Sequence, residues 1–159
     1  NLRKQPRTHL ITCGGCRYAP TDLAGQIPVT TNPRWANRFT IMLAKPPEGF
    51  RVEALFLLQS ELVTWPVEQN CRVAHVPANR LWLHVNTTPC GRATEVDRGP
   101  EPPDNIEKTD KTGHPFYWVH FDVPVSAIRD GSNILTFRNE FQSAVIMGIE
   151  VHICPAECT

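Results

Sequence analysis

Phe116-Tyr117-Trp118-Val119-His120-Phe121-Asp122-Val123 alternates from end to end, with Tyr117, Val119, Phe121 and Val123 on one side of an extended chain and Phe116, Trp118, His120 and Asp122 on the other. That period of two is the signature of a half-buried strand whose first set faces a core. Pro124 ends the run, and Asp130-Gly131-Ser132-Asn133 supplies the residues that reverse a chain. A tight turn into a second strand from Ile134 is therefore predicted. A third alternation, with Ile149, Val151 and Ile153 against Glu150 and His152, predicts a closing strand.

Working back from there, Phe39 to Leu43 reads as a strand ended by Lys45-Pro46-Pro47-Glu48-Gly49. Phe50 to Leu58 carries apolar residues on both faces of its second half, as a strand covered on two sides requires. Leu81-Trp82-Leu83-His84-Val85 puts its leucines and Val85 inward and Trp82 and His84 outward. Cys71 to Val76 suggests a short strand, and Val125 to Ile128 a helical turn. Residues 87–115 hold five prolines and three glycines with no periodicity, the pattern of a long loop. Residues 1–33 are rich in turn formers around a strand fragment at Leu10, and are expected to wrap the rest. The expectation is all-β, with one domain over residues 1–159, a length that supports one independent core.

The stretch from Trp118 to Ile153, with Val123-Pro124 and Ile128-Arg129-Asp130-Gly131-Ser132-Asn133 between its strands, resembles the end of the jelly-roll β-sandwiches of the galactose-binding-like superfamily. The resemblance implies two antiparallel sheets in jelly-roll order. It also implies use as a carbohydrate-binding module or as an accessory domain covalently linked to a polysaccharide-degrading enzyme.

Charge and cysteine content set the chemical setting. Sixteen basic and sixteen acidic residues sum to zero without a run of either sign, so nucleic acid and anionic membranes are not the expected partners, and a neutral one is. No apolar run approaches the roughly 18 residues of a membrane-spanning helix. Six cysteines favour an oxidising compartment, and hence a secreted, extracellular protein. Asn86-Thr87-Thr88 is an acceptor triplet for glycosylation, although Pro89 follows it. Residue 1 is Asn, and no apolar leader follows it, as expected of a mature form or an excised module.

The cysteines admit two chemistries. In one, Cys71 bonds Cys90 across the Leu81–Val85 strand, while Cys13 and Cys16 pair with Cys154 and Cys158 and tie the N-terminal segment to the last strand; each long loop closed would add roughly 2–4 kcal/mol. In the other, Cys13, Cys16, Cys154 and Cys158 hold a tetrahedral zinc ion. A redox role for Cys13-Gly14-Gly15-Cys16 lacks the βαβ setting that lowers a thiol pKa.

Sugar rings present flat C–H faces, so aromatic platforms flanked by polar groups are the signature of carbohydrate recognition. Trp82 and Trp118 leave the core beside His84 and His120, and Trp35 and Trp65 fall in loops. These six residues form the expected carbohydrate-binding set, with packed tryptophans as the competing reading. His84, His120 and His152 would hold copper or zinc if their strands converged. Asp122 and Glu150 could share a structural calcium. The acidic residues show no pairing motif for glycoside hydrolysis. The expectation is therefore a non-catalytic module binding a neutral polysaccharide or oligosaccharide. A structural or protein-interaction sandwich is the alternative, and a small metal-dependent enzyme using the outward histidines comes third.

Overall fold

Alternation decides which side of each strand meets the core, and long-range pairing decides where each strand lies. The structure, a computed structural model, describes residues 7–10, 16–19, 25–60, 76–97 and 116–155. Its strands are β1 (Arg7–Leu10), β2 (Cys16–Ala19), β3 (Val29–Thr30), β4 (Asn37–Leu43), β5 (Phe50–Ser60), β6 (Leu81–Val85), β7 (Thr88–Arg92), β8 (Glu95–Asp97), β9 (Phe116–Val123), β10 (Gly131–Asn139) and β11 (Ala144–Pro155). They form two antiparallel sheets. The larger runs β1-β2-β11-β5-β9-β8, with β3 also paired to β11; the smaller runs β4-β10-β6-β7.

The inward sets of both sheets build one core, in which Phe39, Ile41, Leu83, Leu135 and Phe137 meet Phe56, Leu58, Val119, Phe121 and Val151. Phe56 and Phe137, one from each sheet, stack with ring centroids 4.6 Å apart, and Phe121 stands edge-on to both at 5.9 Å. Each such aromatic pair adds about 0.5–1.5 kcal/mol beyond burial, so this trio pins the sheets face to face. The two-sided apolar character of Phe50–Leu58 is met. Val52, Ala54, Phe56 and Leu58 enter the inter-sheet core. Leu55 and Leu57 turn the other way and form a second buried cluster with Trp118, against which Met147 packs.

Three expectations are corrected. First, β9 and β10 are not a hairpin: β9 belongs to the larger sheet and β10 to the smaller one. Pro124 and the 3-10 turn Val125–Ala127 carry the chain across the edge of the sandwich, with Ala127 and Ile128 buried as they cross. Asn133 holds the turn that follows: its Nδ2 donates to the carbonyls of Arg129 and Gly131, and its Oδ1 accepts from the Arg129 amide.

Second, the loop expected over residues 87–115 contains β7 and β8. Asn86, in the left-handed region at φ 56°, turns the chain from β6 directly into β7. The register shift between Leu83 and His84 is the irregularity that masks β7's alternation in the sequence. Third, the N-terminal segment does more than wrap, since β1 and β2 extend the larger sheet beyond β11.

Asp122 and Glu150, expected on adjacent strands, are separated by β5. No disulfide forms among the described residues, where Cys90 and Cys154 are free thiols. Backbone register sets Cys16 opposite Ile153, and Cys154 opposite Arg51. The expectations for Cys13, Cys71, Cys158 and Trp65, and most of the Cys71–Val76 strand, lie outside the described residues.

The outer edge of the smaller sheet is blocked. Gln26 applies its side-chain amide to the backbone of Thr40: Oε1 accepts from Thr40 N at 2.8 Å, and Nε2 donates to Thr40 O at 3.1 Å. One side chain thus takes the place of a strand partner and shields β4 from edge pairing.

Candidate functional site

The outer face of the smaller sheet is built from the residues that alternation turns away from the core. Register aligns Arg138 of β10 with Trp82 of β6 and Arg92 of β7, and in the next row Arg38 with Thr136 and His84. Beyond these, Thr40 lies beside Ile134, and Met42 beside Ser132. The Arg92 guanidinium carbon sits 4.7 Å from the centroid of the Trp82 ring, a cation–π contact that orients both side chains. The Trp82 Nε1 is buried without a hydrogen-bond partner, so packing and Arg92 hold the indole.

Trp35 flanks this face and is 56% exposed, the most open large apolar side chain among the described residues. Its loop is ordered locally: the Trp35 amide donates to the Asn32 carbonyl, and Asn32 Oδ1 accepts from the Arg34 amide in an Asx turn. Arg138 fastens the loop to the sheet by donating from a terminal guanidinium nitrogen to Pro33 O at 3.4 Å, while its Nε lies 3.6 Å from Glu140. Met42 and Ile134 add exposed apolar area.

The outer face of the larger sheet carries a different set. His120 Nδ1 and Glu53 Oε1 meet at 3.2 Å, and Glu150 is buried. His152 Nε2 lies 4.0 Å from Glu150 Oε1, too far for a hydrogen bond. Burial raises the pKa of Glu53, but the His120 hydrogen bond, the charges of His120 and His152 and that of Arg51 together outweigh it, and the net shift is below the ordinary value. Among the described residues no group of three or more His, Cys, Asp or Glu side chains is arranged to hold a metal ion.

The six expected sugar contacts are therefore divided. Trp35 and His84 are exposed and Trp82 is half-buried, all three at the smaller sheet. Trp118 does leave the inter-sheet core, as its alternation requires, but it is 0% exposed and packed on Leu55 and Leu57. His120 is buried beside Glu53. His84 lies in the sheet opposite His120 and His152, so the three imidazoles do not converge.

Sequence reasoning passed over Arg38, Arg92 and Arg138. Alternation along β4 and β10 would have placed two of them outward, but a net charge of zero drew no notice to where the cations fall. Comparison with protein-family models and with curated proteins finds no match for this chain.

Proposed function

We propose that this chain is a non-catalytic carbohydrate-binding module whose ligand lies across the outer face of the β4-β10-β6-β7 sheet. The observation that carries the reading is Trp35, an open indole on a locally ordered loop at the margin of a sheet face bearing Trp82, His84, Thr40 and Thr136. An aromatic plane beside hydroxyl and guanidinium donors matches a sugar ring, which offers a C–H face to stacking and a rim of hydroxyls to hydrogen bonds.

The jelly-roll assignment belongs to the same reading. It is supported by nested pairs, β3 with β11, β4 with β10 and β5 with β9, the pattern of one long hairpin rolled into a sandwich. An extracellular setting beside a catalytic partner rests on the resemblance of residues 118–153. Affinity electrophoresis through gels containing soluble polysaccharides tests the function. Retardation by at least one polymer, reduced in Trp35→Ala, is expected, and unretarded migration through every gel removes it.

A further inference from the structure

We infer that the ligand of this face is an anionic polysaccharide, one carrying carboxylate or sulfate groups; the inference rests on the binding reading above and names its substrate class. The two outer faces differ in charge composition among the described residues. Register puts Glu53, Glu95, Asp122 and Glu150 on the outer rows of the larger sheet, together with Arg17, Arg51, His120 and His152, so charges of both signs are mixed there. The outer face of the smaller sheet holds Arg38, Arg92 and Arg138 with His84, and the carboxylate set against these arginines is Glu140, beside Arg138.

Arg38 and Arg92 form no ion pair among the described residues, and both are exposed. Two cations without counterions on one small sheet give it a positive surface, to which a polymer with repeated negative charges is the electrostatic complement. The choice of arginine matters too, because its planar fork meets a carboxylate or sulfate with two parallel hydrogen bonds.

Geometry favours a chain over a single small anion. Arg138, Trp82 and Arg92 stand on three successive strands, so at about 4.8 Å per strand the two arginine backbones are roughly 10 Å apart, with the Trp82 backbone between them and Arg92 over its ring. Arg38 lies on the far side of Arg138's strand, in the neighbouring row. A polymer crossing the strands would meet Arg138, then Arg92 lying over the Trp82 ring, and reach the open Trp35 at the margin. Stacking separates this surface from a purely electrostatic one: a sugar C–H face gains from the exposed Trp35 indole, which a bare phosphate or sulfate ion does not.

The experiment compares polygalacturonate, chondroitin sulfate, neutral xyloglucan and a single-stranded DNA of matched charge, by gel retardation at low ionic strength. Polygalacturonate or chondroitin sulfate should bind at least about tenfold more tightly than xyloglucan and lose most of that advantage near 0.5 M salt, where charges on the surface are screened. Arg38→Gln and the Arg38→Gln/Arg92→Gln pair should each weaken the anionic polymer and leave the melting temperature in place. The single variant keeps the test valid if loss of Arg92 disturbs Trp82. Equal affinity for xyloglucan overturns the anionic inference while the polysaccharide reading stands. DNA bound as tightly as the best anionic polysaccharide overturns it as well, by showing a surface for any polyanion. Failure of all four to bind overturns the anionic inference, and the underlying reading falls with it only if every other soluble polysaccharide gel also leaves the protein unretarded.

Discussion

Asn86 Nδ2 and Asn133 Oδ1 meet at 3.0 Å, joining the β6–β7 turn to the segment that enters β10 across 47 residues of sequence. The same Asn86 nitrogen donates to Ala127 O at 2.7 Å, and its Oδ1 accepts from Ile134 N at 3.0 Å. Two asparagines thus satisfy the backbone of both turns at one end of the sandwich.

Asn133→Ala should cost about 2–3 kcal/mol, because it removes four hydrogen bonds, with the Arg129 amide, the Arg129 and Gly131 carbonyls and the Asn86 amide, in a part-buried turn. Urea unfolding with an unchanged m-value is the measurement. The Asn86 nitrogen is committed to two acceptors, so the triplet at Asn86 should stay unglycosylated when the protein is expressed in a glycosylating host, as intact mass will show.

Trp118→Ala should lower stability by about 3–5 kcal/mol, the usual cost of a cavity left by a large aromatic, whereas Trp35→Ala should change it by less than about 0.5 kcal/mol. Phe121→Ala, on the opposite face of β9, should be as damaging as Trp118→Ala, since both rings are fully buried. A Trp118→Ala variant that melts with the parent protein contradicts the second buried cluster.

Glu53 has a folded-state pKa below its ordinary value of 4.5. Its contribution to stability is therefore complete above that value and is lost as pH falls through the folded pKa. Thermal melts from pH 6 down to about 3 should show a decline that Glu53→Gln flattens, with little difference between the two proteins at pH 6 in that slope.

Burial pushes the Tyr117 hydroxyl up to about 12, against a smaller opposing effect of the Gln142 side chain. The unfolded chain ionises first, so the folded state loses stability as pH rises from 10 towards 12. Tyr117→Phe should remove that part of the alkaline decline, and ultraviolet titration should find one tyrosine ionising late.

Cys90 is half-buried and its thiol pKa is raised by desolvation, with a partly offsetting hydrogen bond from the Val85 backbone. Cys154 is buried. Alkylation at pH 8 without reductant should therefore label both slowly in the native protein and fully after denaturation, by peptide mapping. Resistance of either to alkylation after denaturation would mean that it is oxidised.

The strands of this protein are written locally. Phe116–Val123 and Leu81–Val85 match β9 and β6 residue for residue because alternation is a property of neighbouring side chains that survives any choice of partner. The double apolar face of Phe50–Leu58 likewise announced a central strand, and β5 lies between β11 and β9.

Sheet membership was not written there. The Asp130-Gly131-Ser132-Asn133 turn reads as a hairpin, yet the chain crosses to the other sheet, because pairing with β4 and β6 outweighs proximity to β9. Period two assigns Trp118 and Trp82 alike to outer faces. Only the packed structure decides that one is sealed against Leu55 and Leu57 while the other lies beneath Arg92 on an open sheet. Direction along a strand is fixed by the chain's own stereochemistry, whereas cover and charge environment depend on segments distant in sequence. The gathering of Arg92 and Arg138 beside Trp82, with Arg38 in the neighbouring row, therefore belongs to the tertiary fold.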